Sequence, residues 1–183
     1  MSRKANSPSA RALDWPGELH RALRTHRVGQ VSYVPDAGHK RLIELCHGDG
    51  EMAVVPLTTE EEGIGLAAGA WLGGKRAALL MQSSGVGNCV NAFTLACNCG
   101  FPLLMLVTMR GEWGEFNPWQ VPMGQATPEI LRLSGLRSLR LERAEDAYAT
   151  AAAAAKLAFE GYASVALLIS QRLIGTKAFG EKP

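Results

Sequence analysis

Apolar positions along this chain fall into short runs that alternate between two periods. Residues 13–26 space their apolar side chains three and four apart, with Asp14 and Glu18 early and Arg24 and His26 late, as a helix macrodipole favours. Residues 30–34 predict a short strand stopped by Pro35-Asp36, and residues 39–46 a helix whose Leu42 and Leu45 face inward. Residues 52–56 form an unbroken apolar run of the kind a parallel sheet buries on both faces. Thr59-x-x-Glu62 reads as a capping box that opens a helix running to Leu72 and ending at Gly73-Gly74. A strand over 77–81, a helix over about 87–99 and a strand over 102–108 come next. Residues 109–125 have no periodicity and hold two tryptophans, two prolines and three glycines, which predicts a long loop of the kind that often carries function. A short helix over 127–134, a strand over 138–141, an Ala-rich helix over 144–160 and a strand over 164–170 complete the pattern.

About six strands alternating with helices predict an α/β fold, a single parallel sheet with helices on both faces. The expected organisation is a leader over 1–12, one domain over 13–171 and a tail over 172–183. In such sheets ligands bind at the carboxyl ends of the strands. Residues 35–39, residues 56–62 and the loops after Met81 and Thr108 therefore become the places to look for chemistry.

Composition narrows the function classes. With 183 residues, 47% of them hydrophobic, and a net charge of +2, the chain suits one globular domain. Its basic residues are scattered without interleaved aromatics, which argues against nucleic acid. No apolar run reaches the roughly 18 residues of a membrane span. The first residues, MSRKANSPSARALDWPG, lack an apolar signal core, so a cytoplasmic location is expected. Cys46, Cys89, Cys97 and Cys99 show no paired metal-ligand spacing, so no metal site is expected in this chain and the thiols read as reduced.

Gly63-x-Gly65-x-x-Ala68 matches a dinucleotide fingerprint as text, but Glu60, Glu61 and Glu62 stand where a diphosphate would approach and would repel it. Those glycines read as packing positions. Three glutamates in one first turn exceed what capping needs, and one of them turned toward the sheet end could trade a proton with a ring nitrogen. Gln82-Ser83-Ser84-Gly85-Val86-Gly87-Asn88 offers small residues and backbone donors at a strand-to-helix turn, where Gly85 and Gly87 leave room for a flat ligand. On the long loop, Arg110 can grip an anion with two parallel hydrogen bonds, and its tryptophans suit a partner surface.

The runs TTEEEGIGLAAGAWLGGKRAALLMQSSGVGN and PLLMLVTMRGEWGEFNPWQVPMG strongly resemble the pyrimidine-binding domain of thiamine diphosphate-dependent 2-oxoacid decarboxylases, the branch acting on 3-sulfopyruvate first and phosphonopyruvate next. The resemblance spans residues 13–170. Its spacing Glu-(x)6-Ala-x-Gly, met by Glu60, Ala67 and Gly69, implies that Glu60 is the cofactor glutamate, with Glu61 the alternative if the register slips by one. It implies that Glu60 hydrogen-bonds a pyrimidine nitrogen, and that Thr58, Gln82, Ser83, Ser84, Gly85, Val86, Gly87 and Asn88 surround that ring. Asp36, His39, Arg110 and Gln120 are the implied substrate contacts for a small anionic 2-oxoacid. Gly48-Asp49-Gly50 copies the start of the family's magnesium-diphosphate motif, but it precedes a strand and reads as a turn. The diphosphate- and magnesium-binding half is thus expected on a separate β-type subunit. A non-catalytic subunit that keeps the fold is the competing reading.

Overall fold

A computed structural model describes residues 13–176; the expected leader and residues 177–183 of the expected tail lie outside the described residues. Six strands form one all-parallel sheet: β1 (Val28–Tyr33), β2 (Ala53–Pro56), β3 (Arg76–Gln82), β4 (Leu103–Thr108), β5 (Arg137–Leu141) and β6 (Ser164–Ile169). Their spatial order is β2-β1-β3-β4-β6-β5. The helices are α1 (Trp15–Thr25), α2 (Lys40–His47), α3 (Glu60–Leu72), α4 (Ser83–Asn88), α5 (Phe93–Cys99), α6 (Gln120–Leu133), α7 (Ala147–Phe159) and α8 (Gln171–Ile174).

Side chains alternate across the central strands and so feed two cores. Ala78, Leu80, Leu104, Leu106, Val165 and Leu167 meet α1, α2 and α7, whereas Leu79, Met81, Met105, Val107 and Leu168 meet α3, α5 and α6. Helix α7 presents Ala154, Ala155 and Ala158, all fully buried, so α1 packs close against it. Strands β4 and β6 are buried along their whole length, as their apolar runs predict.

Several expectations are corrected. The run over 52–56 becomes β2, an edge strand with Ala53 and Pro56 exposed, because it pairs with β1 alone. In α2, Leu42 and Cys46 are buried, four residues apart, and Leu45 is half-buried. The capping box is shifted: the Thr59 side chain makes no cap bond, and Glu62 Oε2 instead accepts from the Thr58 backbone N–H at 3.0 Å. The turn and helix after β3 are two short helices, α4 and α5. Helix α6 starts at Gln120, seven residues before the expected Thr127, which shortens the loop to residues 109–119. Pro122 falls in its first turn, where a missing N–H costs little. The segment after β6 opens with α8 rather than an irregular tail.

Candidate functional site

The carboxyl ends of β1, β3 and β4 carry two polar clusters, one beside each face of the sheet. The first is built around Glu60, the first residue of α3. Glu60 is 8% exposed, while Glu61 and Glu62 are exposed, so the helix turns one of its three carboxylates inward. Its seat is Gly85 of α4: a Cβ there would stand 2.5 Å from the Glu60 carboxyl carbon. Asn88, one turn further along α4, donates its Nδ2 to Glu60 Oε2 at 2.9 Å. Glu60 Oε1 has no partner among the described residues, which leaves an oriented acceptor with one free oxygen.

The second cluster belongs to Asp36, which follows β1 and is 8% exposed. Its Oδ1 accepts from Gln82 Nε2 at 2.6 Å and its Oδ2 from Thr108 Oγ1 at 2.7 Å, tying together the ends of β1, β3 and β4. Asp36, Gly38, Thr108, Arg110 and the segment after α8 line a cavity of about 140 Å³. His39 lies behind this cluster, fully buried. Its Nε2 faces the carbonyls of Leu106 (3.0 Å) and Met81 (3.3 Å), so that nitrogen carries the proton and donates to both. Nδ1 is left without a partner, and burial pushes the His39 pKa below its ordinary value.

The structure reassigns several residues of the predicted set. His39, expected as a substrate contact, is enclosed by protein and contacts strand carbonyls, a position from which it supports the Asp36 loop. Arg110, which lines that cavity, donates its Nε and Nη2 to Glu115 at 2.7 and 2.9 Å, so two of its donors are held within the loop. That contact, aided by donors from Asn117 and Gln171, holds the Glu115 carboxyl down at a pKa of about 2. Ser83 is fully buried and its Oγ accepts from the Arg110 N–H at 3.0 Å, so it anchors the loop. The Val86 side chain is buried in the core under α3, α5 and α6. Gly87 faces Met123, and the room at Gly85 is filled by Glu60 rather than left open. Thr58 is exposed, Ser84 is half-buried, and Gln120 starts α6 with its Oε1 buried and unpaired. Of the two fingerprint glycines, Gly63 alone is a packing position, since a Cβ there would clash with Leu79; Gly65 faces open space.

Two residues were missed. Gln171, 1% exposed at the start of α8, accepts the N–H groups of Glu112 (2.9 Å) and Trp113 (3.0 Å) at its Oε1 and donates Nε2 to Glu115 at 2.9 Å. Arg140 of β5 clasps Glu112 with two bonds of 2.7 Å. Both contacts join residues far apart in sequence, and no local pattern signals them.

The buried thiols of Cys46 and Cys89 are pushed up to about 12 by burial, which makes them poor nucleophiles. Among the described residues, no helix is long and apolar enough to cross a membrane.

No family model matches the chain. Curated relatives do. The chain is 35% identical over 131 residues to the sulfopyruvate decarboxylase subunit alpha of Methanocaldococcus jannaschii, covering 71% of this chain and 78% of that one. To the subunit of the same name from Methanococcus maripaludis it is 34% identical over 152 residues, covering 82% and 91%. A phosphonopyruvate decarboxylase of Streptomyces viridochromogenes is 33% identical over 131 residues, 70% of this chain and 33% of that longer protein. Among solved structures, a 2-oxoglutarate:ferredoxin oxidoreductase from Magnetococcus marinus shares the fold at a TM-score of 0.69 and 14% identity, over 87% of this chain and 29% of that one. With more than three quarters of two such subunits aligned at these identities, the chain belongs to the family of sulfopyruvate decarboxylase alpha subunits.

Proposed function

We propose that this chain is the alpha subunit of a thiamine diphosphate-dependent 2-oxoacid decarboxylase. In this reading it converts 3-sulfopyruvate to sulfoacetaldehyde and carbon dioxide in the cytoplasm, together with a β-type subunit that holds the diphosphate and magnesium. The observation that carries the reading is the buried Glu60 carboxylate, oriented by Asn88 and seated against Gly85 with Oε1 free. Such an oxygen fits a protonated ring nitrogen, and Glu60 rather than Glu61 has the burial to strengthen that bond. Thiamine diphosphate, when bound, supplies the carbon nucleophile and the electron sink for loss of carbon dioxide. This chain's share is to hold one proton at Glu60 Oε1, to fix the carboxylate through Asn88, and to shield it from water with α3 and α4.

The 2-oxoacid belongs in the small cavity between Asp36, Thr108 and residues 174–176. Arg110 lines this cavity with Nε and Nη2 held by Glu115, which leaves Nη1 for the acid. The partner subunit provides the rest of the charge that reads the sulfonate. The likeness to phosphonopyruvate decarboxylase supports phosphonopyruvate as the second choice of substrate.

The test is reconstitution. The chain alone releases no carbon dioxide from 3-sulfopyruvate, and the mixture with its partner subunit does. Glu60→Gln preserves the complex on size exclusion and lowers kcat at least 100-fold, in line with the loss of a positioned proton-transfer group. Full activity in that variant, or a complex that binds no thiamine diphosphate, would favour a non-catalytic subunit.

A further inference from the structure

The amino-terminal pole of the sheet lies opposite the strand ends that carry Glu60 and Asp36. There α1 ends at His26, and the next residue, Arg27, has φ 56°. Glycine is the usual occupant of this position, because a side chain in the left-handed region crowds the backbone. Among the described residues, Tyr162 is the other non-glycine in this conformation, at φ 51°, and its ring packs edge-on against Trp71 with centroids 5.7 Å apart. The Arg27 side chain has no hydrogen bond, ion pair or ring contact among the described residues. Among the described residues only its backbone N–H is engaged, donating to the Arg24 carbonyl at 2.9 Å, and left-handed side chains of this kind gather at positions in use.

The surroundings indicate the use. Arg27, Gly29, Glu51, Gly74, Lys75 and Arg76 line a cavity of about 310 Å³, the size of a small-molecule site. A second cavity of about 240 Å³ shares Arg27, Gly29 and Glu51 with it. Strand β1 slips by one residue against β3 between Val28 and Gln30, so Gly29 sits in a bulge where a Cβ would meet nothing. The acids of this pole are already engaged: Arg24 holds Asp49 at 2.7 Å and Glu51 at 3.0 Å. Lys75 is without a partner among the described residues. Arg76 gives one Nη to the His26 carbonyl at 2.9 Å, lies over the Phe159 ring at 5.1 Å and has no carboxylate partner among the described residues. Arg27, Lys75 and Arg76 thus share one concave wall with a single carboxylate, Glu51, that is itself held by Arg24.

We propose that this cleft binds a small multivalent oxyanion, a phosphate- or sulfonate-bearing molecule, gripped by Arg27 with Lys75 and Arg76. A guanidinium fork matches two oxygens of such a group, and the glycines let it approach the backbone. The proposal stands apart from the reading of Glu60.

Calorimetric titration of the full chain with inorganic phosphate, diphosphate and sulfate at constant ionic strength tests it. Expected are saturable binding, at least tenfold weakening in Arg27→Gly and Lys75→Ala, and no change in Lys40→Ala, which removes an unpartnered charge at the opposite end of the sheet. Arg27→Gly also melts no lower than the parent, since glycine relieves the backbone while the ligand contact is lost. Tighter phosphate than sulfate assigns a phosphate ester as the natural group, and the reverse order a sulfonate. Absence of saturable binding, equal weakening in Lys40→Ala, or a lower melting temperature in Arg27→Gly overturns the site.

Discussion

Glu60 shows how a glycine can serve a carboxylate instead of a ligand. The space that Gly85 leaves is occupied by the Glu60 side chain, so a methyl group at that position has to displace it. Gly85→Ala is expected to leave a folded chain about 1–3 kcal/mol less stable, the usual range for overpacking. It should cut the carbon dioxide release of the reconstituted pair much as Glu60→Gln does, whereas Gly65→Ala, inside α3 and facing open space, leaves turnover unchanged and raises stability by about 0.5–1 kcal/mol. The Arg110 and Glu115 pair makes a pH prediction. Glu115 is lowered from an ordinary 4.5 to about 2 in the fold, so its stabilising share is complete above pH 4.5 and disappears as pH falls toward 2. Acid melts should show a loss of stability through that window. In Arg110→Met the carboxylate is stranded beside Gln171 without its cation, at a cost of about 3–5 kcal/mol, and the acid transition moves to higher pH.

At the scale of elements, the loop over 109–119 is held by side chains from three other places in the fold, Ser83, Arg140 and Gln171. Gln171 closes three hydrogen bonds to the loop and is itself the first residue of α8, so it fixes both walls of the small cavity relative to each other. Gln171→Ala is expected to cost about 2–3 kcal/mol, the penalty for buried donors and an acceptor left unpaired. It should expose the loop to limited proteolysis and raise KM more than it lowers kcat; a kcat loss with unchanged KM would remove the cavity from substrate binding. The elements differ in how far the sequence announces them. The apolar runs of β4 and β6 announce buried strands, and the acidic start with glycine exit of α3 announces a helix. The run over 52–56 looks equally buried, yet it is the sheet edge, since strand order is set by long-range pairing. Pro122 and Gly124 disguised the start of α6, because a proline in a first turn and a glycine against the Arg110 carbonyl look like loop residues until the neighbour is placed. For the site, Glu60, Gly85 and Asn88 stand out as residue types at a strand-to-helix turn. That they touch one another, and that Glu115 holds Arg110 from five residues away, emerges only from the packing.

For the whole molecule, two cores under one sheet give a rigid platform whose chemistry sits along one rim and whose Arg27 cleft sits along the other. On the proposed reading the rim is half an active site, completed by a second chain. The order of the strands has a further effect on how the chain can be dismantled. The last strand, β6, is flanked by β4 and β5 and buried along its length, and all strands run parallel. Traction on the carboxyl end pulls β6 along its own axis, so the hydrogen bonds of two ladders carry the load together instead of opening one by one. Pulling on β6 from its carboxyl side strips α8 and then loads two ladders at once, whereas pulling on β1 from its amino side strips α1 before the two β1 ladders are reached.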